Sequence, residues 1–135
     1  GVILLPVTGQ LFYAAKGNGA FLEENGTAQK IQASRRTMNP RLAVSRSHRT
    51  AEEEKLIHDM GITEVIEAGS SLKGCLVAKG DAEMYYRYGR TMEWDVAAMQ
   101  IIVEEAGGIM RHIDGTEIAY NKKVPENPSF YAGNF

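Results

Sequence analysis

Four short clusters in this 135-residue chain hold the residue types that do chemistry. The first, Glu67-Ala-Gly-Ser-Ser-Leu-Lys73, sets a glycine, two hydroxyls and free backbone N–H groups at the start of a helical pattern, with a lysine one turn in. Such a helix start favours an anion, because its first N–H groups and the helix dipole both present partial positive charge. Serines there more often serve only as caps, so Ser70 and Ser71 also read as capping residues and Lys73 as a solvated charge. The second cluster, Glu93-Trp-Asp95, opens the longest helical pattern. The dipole stabilises a first-turn carboxylate, and a carboxylate held there suits a hard cation such as Mg²⁺, which takes few protein oxygens and completes its shell with water and phosphate. One carboxylate does not make a metal site.

The third cluster, Ser45-Arg-Ser-His48, follows a short apolar strand, and the fourth, Arg87, ends an aromatic one. Both fall where α/β folds present ligand-binding groups, beyond the carboxyl ends of strands. Each also reads as an ordinary surface residue. Cys75 lies among apolar helix positions and reads as core. Asp114-Gly-Thr116 repeats part of a phosphatase signature but sits between two short strand patterns, so it reads as a hairpin turn.

The elements that position these clusters follow from the hydrophobic pattern. Val2–Val7 and Leu11–Ala15 predict a hairpin, with Pro6 at a strand end. A second hairpin is predicted around Glu24-Asn-Gly26, and residues 34–40 form a connection. From residue 42 the texture changes to alternating strand and helix. Thr50 with Glu53 forms a capping box ahead of a helix closed by Gly61. Ser70 or Ser71 is expected to cap the next helix, which runs to Gly80, and Thr91 the longest. In that last helix Trp94, Ala97, Ala98, Ile101 and Ile102 form one apolar stripe, and Gly107-Gly108 ends it. Strands are expected at 42–45, 63–68, 82–88, 109–113 and 129–132. The alternation predicts an α/β domain over 34–135 with helices packed on a sheet, preceded by β-hairpins over 1–33.

Composition bounds the function. Lys+Arg 15 against Asp+Glu 17 gives net charge -2, which disfavours nucleic-acid binding. A single cysteine excludes an intrachain disulfide and every multi-cysteine zinc pattern, and a reducing, cytoplasmic setting is expected. No apolar run approaches the ~20 residues that span a bilayer, and no signal peptide is expected. The chain opens on Gly1 in a strand pattern, so residues upstream of it are expected.

Trp94-Asp-Val-Ala-Ala98 followed by Glu104-Glu-Ala-Gly-Gly108 resembles the second signature of the inositol monophosphatase superfamily of Mg²⁺-dependent phosphatases. Val44-Ser-Arg-Ser-His48, Gly69-Ser-Ser-Leu-Lys73, Tyr85-Tyr-Arg87 and Thr91-Met-Glu-Trp-Asp95 resemble, more narrowly, its CysQ-type 3'(2'),5'-bisphosphate nucleotidases. The resemblance covers essentially the whole chain and implies the C-terminal α/β/α layered part of that fold, with hairpins belonging to the N-terminal sheet. It implies that Asp95 binds metal and that His48, Ser70, Lys73, Arg87 and Asp95 contact the nucleotide. Arg87 favours a bisphosphate, since an arginine fork suits a second phosphate where inositol phosphatases place a glutamate. Met99 departs from the glycine usual after the paired alanines and is expected to shift the helix against its neighbour.

The family's first signature, an upstream glutamate and an Asp-Pro-Leu-Asp-Gly-Thr segment that supplies most metal ligands, has no match. The resemblance therefore implies the C-terminal part of an enzyme that hydrolyses 3'-phosphoadenosine 5'-phosphate, with Mg²⁺ bound weakly or not at all and no complete catalytic set. An inositol monophosphatase-like enzyme and a non-catalytic anion-binding or assembly module are the alternatives. Hairpin strands without their sheet neighbours also lead us to expect a homodimer through residues 2–15.

Overall fold

The computed structural model describes residues 1–47 and 49–134. The chain begins with an antiparallel meander of β1 (Val2–Leu5), β2 (Gln10–Ala15), β3 (Gly19–Glu24) and β4 (Thr27–Ile31), in that spatial order. Alternation decides its faces: Phe12 opposite Leu22 and Ala14 opposite Ala20 point into the core, while Tyr13 stacks on Phe21 outside, with centroids 5.5 Å apart. The β3–β4 turn has positive φ at both Asn25 (51°) and Gly26 (74°), the backbone of a two-residue hairpin turn that matches the twist of the strands.

After the connection come β5 (Arg41–Ser45), α1 (Ala51–Asp59), β6 (Glu64–Ala68), α2 (Leu72–Lys79), β7 (Met84–Arg87), β8 (Thr91–Met92), α3 (Glu93–Glu105), β9 (Ile109–His112), β10 (Glu126–Asn127) and β11 (Phe130–Gly133). A five-stranded sheet runs β6-β5-β7-β11-β9, parallel around β5 and antiparallel from β7 to β9. Along β5 and β7 the faces alternate. Leu42, Val44 and Met84 meet α1 through Leu56 and Ile57, and Ala43 and Tyr85 face α2 and α3. The layers are thus meander, α2 with α3, five-stranded sheet, and α1, which is the mixed α/β architecture expected. One continuous core joins Phe12, Ala14 and Leu22 of the meander to Val96, Met99 and Val103 of α3. No helix among the described residues is long and apolar enough to cross a membrane.

Several local expectations are corrected. The buried face of α3 is Val96, Met99, Ile102, Val103 and Ala106, whereas Trp94 is 68% exposed and Ala97 is exposed. Eight of its 13 positions are apolar, so more than one stripe satisfies the helical period and only the neighbouring layers choose one. Thr91 does not cap α3: it lies in β8, which pairs with β10, a two-residue ribbon too short for a hydrophobic pattern to reveal. Asp95 itself caps the helix start, accepting the Met92 N–H at Oδ2 over 2.8 Å. Ser71 takes the N-cap position of α2 as expected, but not with its side chain: it makes no capping bond, and its hydroxyl donates instead to the Asp95 carbonyl at 3.2 Å. The strand expected at 129–132 is present as β11 and pairs antiparallel with β9, but a long connection separates it from Asp114, so Asp114 does not form a tight hairpin. Asp114 Oδ1 accepts from the Thr116 backbone N–H at 2.9 Å and hydroxyl at 2.6 Å, a self-contained Asx turn.

Met99 packs on α2 where that helix carries a glycine. A Cβ at Gly74 of α2 would lie 2.2 Å from its Cγ and Sδ, so the two helices approach because residue 74 has no side chain. At the far end of α3, Glu105 ties the helix to the meander. Its carboxylate accepts the Gly17 N–H at 2.8 Å and the Gly19 N–H at 2.7 Å, and these backbone bonds hold its pKa below the ordinary carboxylate value. Arg41 and Glu83 lock the opposite side. Glu83, 4% exposed, accepts from the Arg41 backbone N–H (2.6 Å), Nε (3.1 Å) and an Nη (2.6 Å), and a second contact of that Nη reaches Gly80 O at 2.8 Å.

Candidate functional site

The cationic cleft is built where the ends of β5 and β7 meet the starts of α2 and α3. Parallel pairing of β7 with β5 brings Ser45 and Arg87 to the same sheet end, and α2 and α3 pack side by side over them. The cleft holds about 220 Å³ and is bordered by Ser45, Ser70, Lys73, Arg87, Thr91 and Asp95, with Tyr85, Met99 and Phe130 below.

Lys73 is buried, not the solvated charge that a lysine one turn into a helix usually is: 5% exposed, with Nζ 5.0 Å over the Tyr85 ring. Its hydrogen-bond acceptors are carbonyls, Ser70 O at 3.2 Å and Ala68 O at 3.5 Å. The Ser70 carbonyl reaches it through a left-handed backbone, φ 48°, that a non-glycine residue adopts only at a cost. Burial lowers the Lys73 pKa, the nearby Arg87 charge lowers it further, and Glu53 acts in the opposite sense. Among the described residues no carboxylate pairs with either cation. Two positive groups, Lys73 buried and Arg87 half-buried, share the cleft, and an anion placed between them would relieve their repulsion.

Ser70, Lys73, Arg87 and Asp95, four of the five residues singled out in the sequence, border this one cleft. His48 lies outside the described residues. Ser45, Tyr85 and Thr91 also line the cleft without having been assigned a role. All three stand in motifs already noted, and only the fold shows that they line the cleft. Asp114 and Cys75 take no part. Burial pushes the Cys75 thiol up to about 12, so it is inert core.

A sequence profile of the inositol monophosphatase family matches residues 1–134. The chain belongs to the inositol monophosphatase family. Within it, the chain is 37% identical over 131 residues to the 3'(2'),5'-bisphosphate nucleotidase CysQ of Salmonella typhimurium, covering 96% of this chain and 52% of that protein. The Escherichia coli K12 protein of the same name gives the same figures. Among solved structures, CysQ from Bacteroides thetaiotaomicron superposes with TM-score 0.88 at 34% identity, covering 99% of this chain and 57% of that one. Thermotoga maritima IMPase superposes with TM-score 0.81 at 27% identity, covering 99% and 50%. The chain spans about half the length of the curated relatives it matches.

For Mg²⁺ this member of the family offers Asp95, whose Oδ2 is already engaged by the Met92 N–H. No three His, Cys, Asp or Glu side chains converge among the described residues. One carboxylate is not a complete Mg²⁺ centre, which takes several oxygens in near-octahedral geometry.

Proposed function

We propose that this chain forms the substrate side of a 3'(2'),5'-bisphosphate nucleotidase, a phosphomonoester hydrolase whose complete form converts 3'-phosphoadenosine 5'-phosphate to AMP and phosphate with Mg²⁺. The presence of Lys73 and Arg87 in one cleft, neither of them ion-paired to a carboxylate among the described residues, supports this reading most directly. In it, Lys73 neutralises one phosphate as a buried point charge and Arg87 forks onto the other, with His48 and Ser70 as further nucleotide contacts. Asp95 touches the nucleotide and contributes one metal ligand. A cytoplasmic setting and a role in sulfate assimilation belong to the same reading.

The test is a titration of the chain with adenosine 3',5'-bisphosphate and with inositol monophosphate, followed by amide NMR shifts around residues 69–73 and 87. The expected result is tighter binding of the nucleotide. Equal affinities would favour the inositol phosphatase reading, and no binding of either would remove both. The same samples with Mg²⁺ should release phosphate far more slowly than ~1 per second, because a single carboxylate cannot hold the ions that activate water. Turnover at that rate or above would show ligands beyond Asp95 and exclude a non-catalytic module.

Self-association through residues 2–15 is a further part of the proposal. What supports it is β1, an edge strand with Val2 61% and Leu4 58% exposed. Light scattering should find a dimer that is lost on Leu4→Lys; a monomeric parent chain would sink the idea.

A further inference from the structure

Two polar atoms of the β8–β10 ribbon are buried without a hydrogen-bond partner among the described residues: Thr91 Oγ1 and Asn127 Nδ2. The two residues lie directly opposite in the ladder, so their side chains share one face of the ribbon. Asn127 is 1% exposed, and the orientation of its amide is fixed. Its Oδ1 accepts from Lys122 Nζ at 2.9 Å. An ammonium only donates, so a flipped amide would set donor against donor. Lys122 is held in turn by Ala119 O at 2.6 Å and by Glu93 Oε1 at 2.8 Å, and Glu93 accepts the backbone N–H groups of Asn121 (2.9 Å) and Lys122 (3.0 Å). This chain of contacts leaves Nδ2 as a donor on the face shared with Thr91. Thr91 borders the cleft that holds Lys73 and Arg87.

Buried polar groups in folded proteins are almost always paired, and those that are not commonly mark a place where a ligand or water completes the set. A hydroxyl both accepts and donates, whereas an amide nitrogen only donates. We propose that Thr91 is a further ligand-binding residue of this cleft: once the anion is bound, its Oγ1, unpartnered in the free protein, gives its proton to a phosphate oxygen and accepts from Asn127 Nδ2 through one water. Asn127 is then a positioning residue, and the Glu93–Lys122 pair fixes its amide. The assignment rests on the cleft being a phosphate site. It explains why a buried hydroxyl is tolerated unpaired beside two cations, since the bound anion supplies its missing acceptor.

The test uses the full chain as wild type, Thr91→Val and Thr91→Ser, titrated by NMR with adenosine 3',5'-bisphosphate and, separately, with inorganic phosphate. Valine keeps the shape and deletes an unpaired hydroxyl, so its Tm should equal or exceed that of the wild type while Kd for both anions weakens at least about fivefold. Serine keeps the hydroxyl and should bind within about twofold of wild type. A residue that merely supports the ribbon would lower Tm and affinity together and would not be rescued by serine. Wild-type affinity in Thr91→Val, or a lowered Tm in that variant, overturns the proposal. Thr91-dependent binding of phosphate with no preference for the nucleotide would sustain it and overturn the nucleotidase reading. Failure of the wild type to bind either anion overturns both.

Discussion

Arg87→Glu should weaken binding of adenosine 3',5'-bisphosphate by at least about thirtyfold, the ~2 kcal/mol or more lost when one member of a buried charge-assisted pair is removed. Three effects act in the same direction. The arginine fork onto a phosphate is lost, a carboxylate is set where the second phosphate would sit, and the new carboxylate faces Lys73. Arg87 now acts on Lys73 as a like charge that lowers its pKa. A glutamate there would pair with the ammonium and cancel the remaining cation. Inositol monophosphate, with a single phosphate, should lose much less, so the preference for the nucleotide disappears. Calorimetric titration of both ligands against both proteins checks this, and a variant that keeps the preference would refute the assignment of Arg87.

Arg41→Met should cost about 3 kcal/mol of stability, the typical loss when one partner of a buried ion pair is removed and the other stays behind. That is about 10 °C in Tm for a chain of this size. Burial works against the Glu83 charge, yet the hydrogen bonds from the Arg41 side chain and backbone hold its pKa down to about 2, from an ordinary value of 4.5. The sign follows from that depression. The pair's contribution is fully present above pH 4.5 and is lost as pH falls toward 2. In Arg41→Met the burial that opposes the charge has nothing to overcome it, so the carboxyl pKa rises and the group protonates on mild acidification. The Tm gap between variant and parent should therefore be widest near pH 7 and narrow by pH 4. A gap that does not change with pH would mean that the loss is one of packing.

Much of this protein is written locally in its sequence. Thr50 accepts the Glu53 N–H and the Glu53 carboxylate accepts the Thr50 N–H, because that reciprocal bond needs only the spacing of two residues. Asn25-Gly26 turns the second hairpin because both residues tolerate positive φ. Gly80, at φ 82°, ends α2 for the same reason. Strand alternation and the position of Cys75 in the core are equally local in origin.

The site is legible only in part, since the sequence names Ser70, Lys73, Arg87 and Asp95 without saying that they meet. That meeting depends on the parallel pairing of β5 with β7 and on the packing of α2 against α3, contacts between segments far apart in the chain. The tertiary structure alone buries Lys73 over Tyr85, turns Trp94 outward, and sets Asn127 opposite Thr91 across a ribbon two residues long. The Thr50–Glu53 capping box and the Asn25-Gly26 turn are closed within a few residues, so the local sequence decides them. Burial, the charge environment and the partner of a polar atom are decided by whichever distant segment packs there, and a pattern along one strand or helix carries no record of that segment.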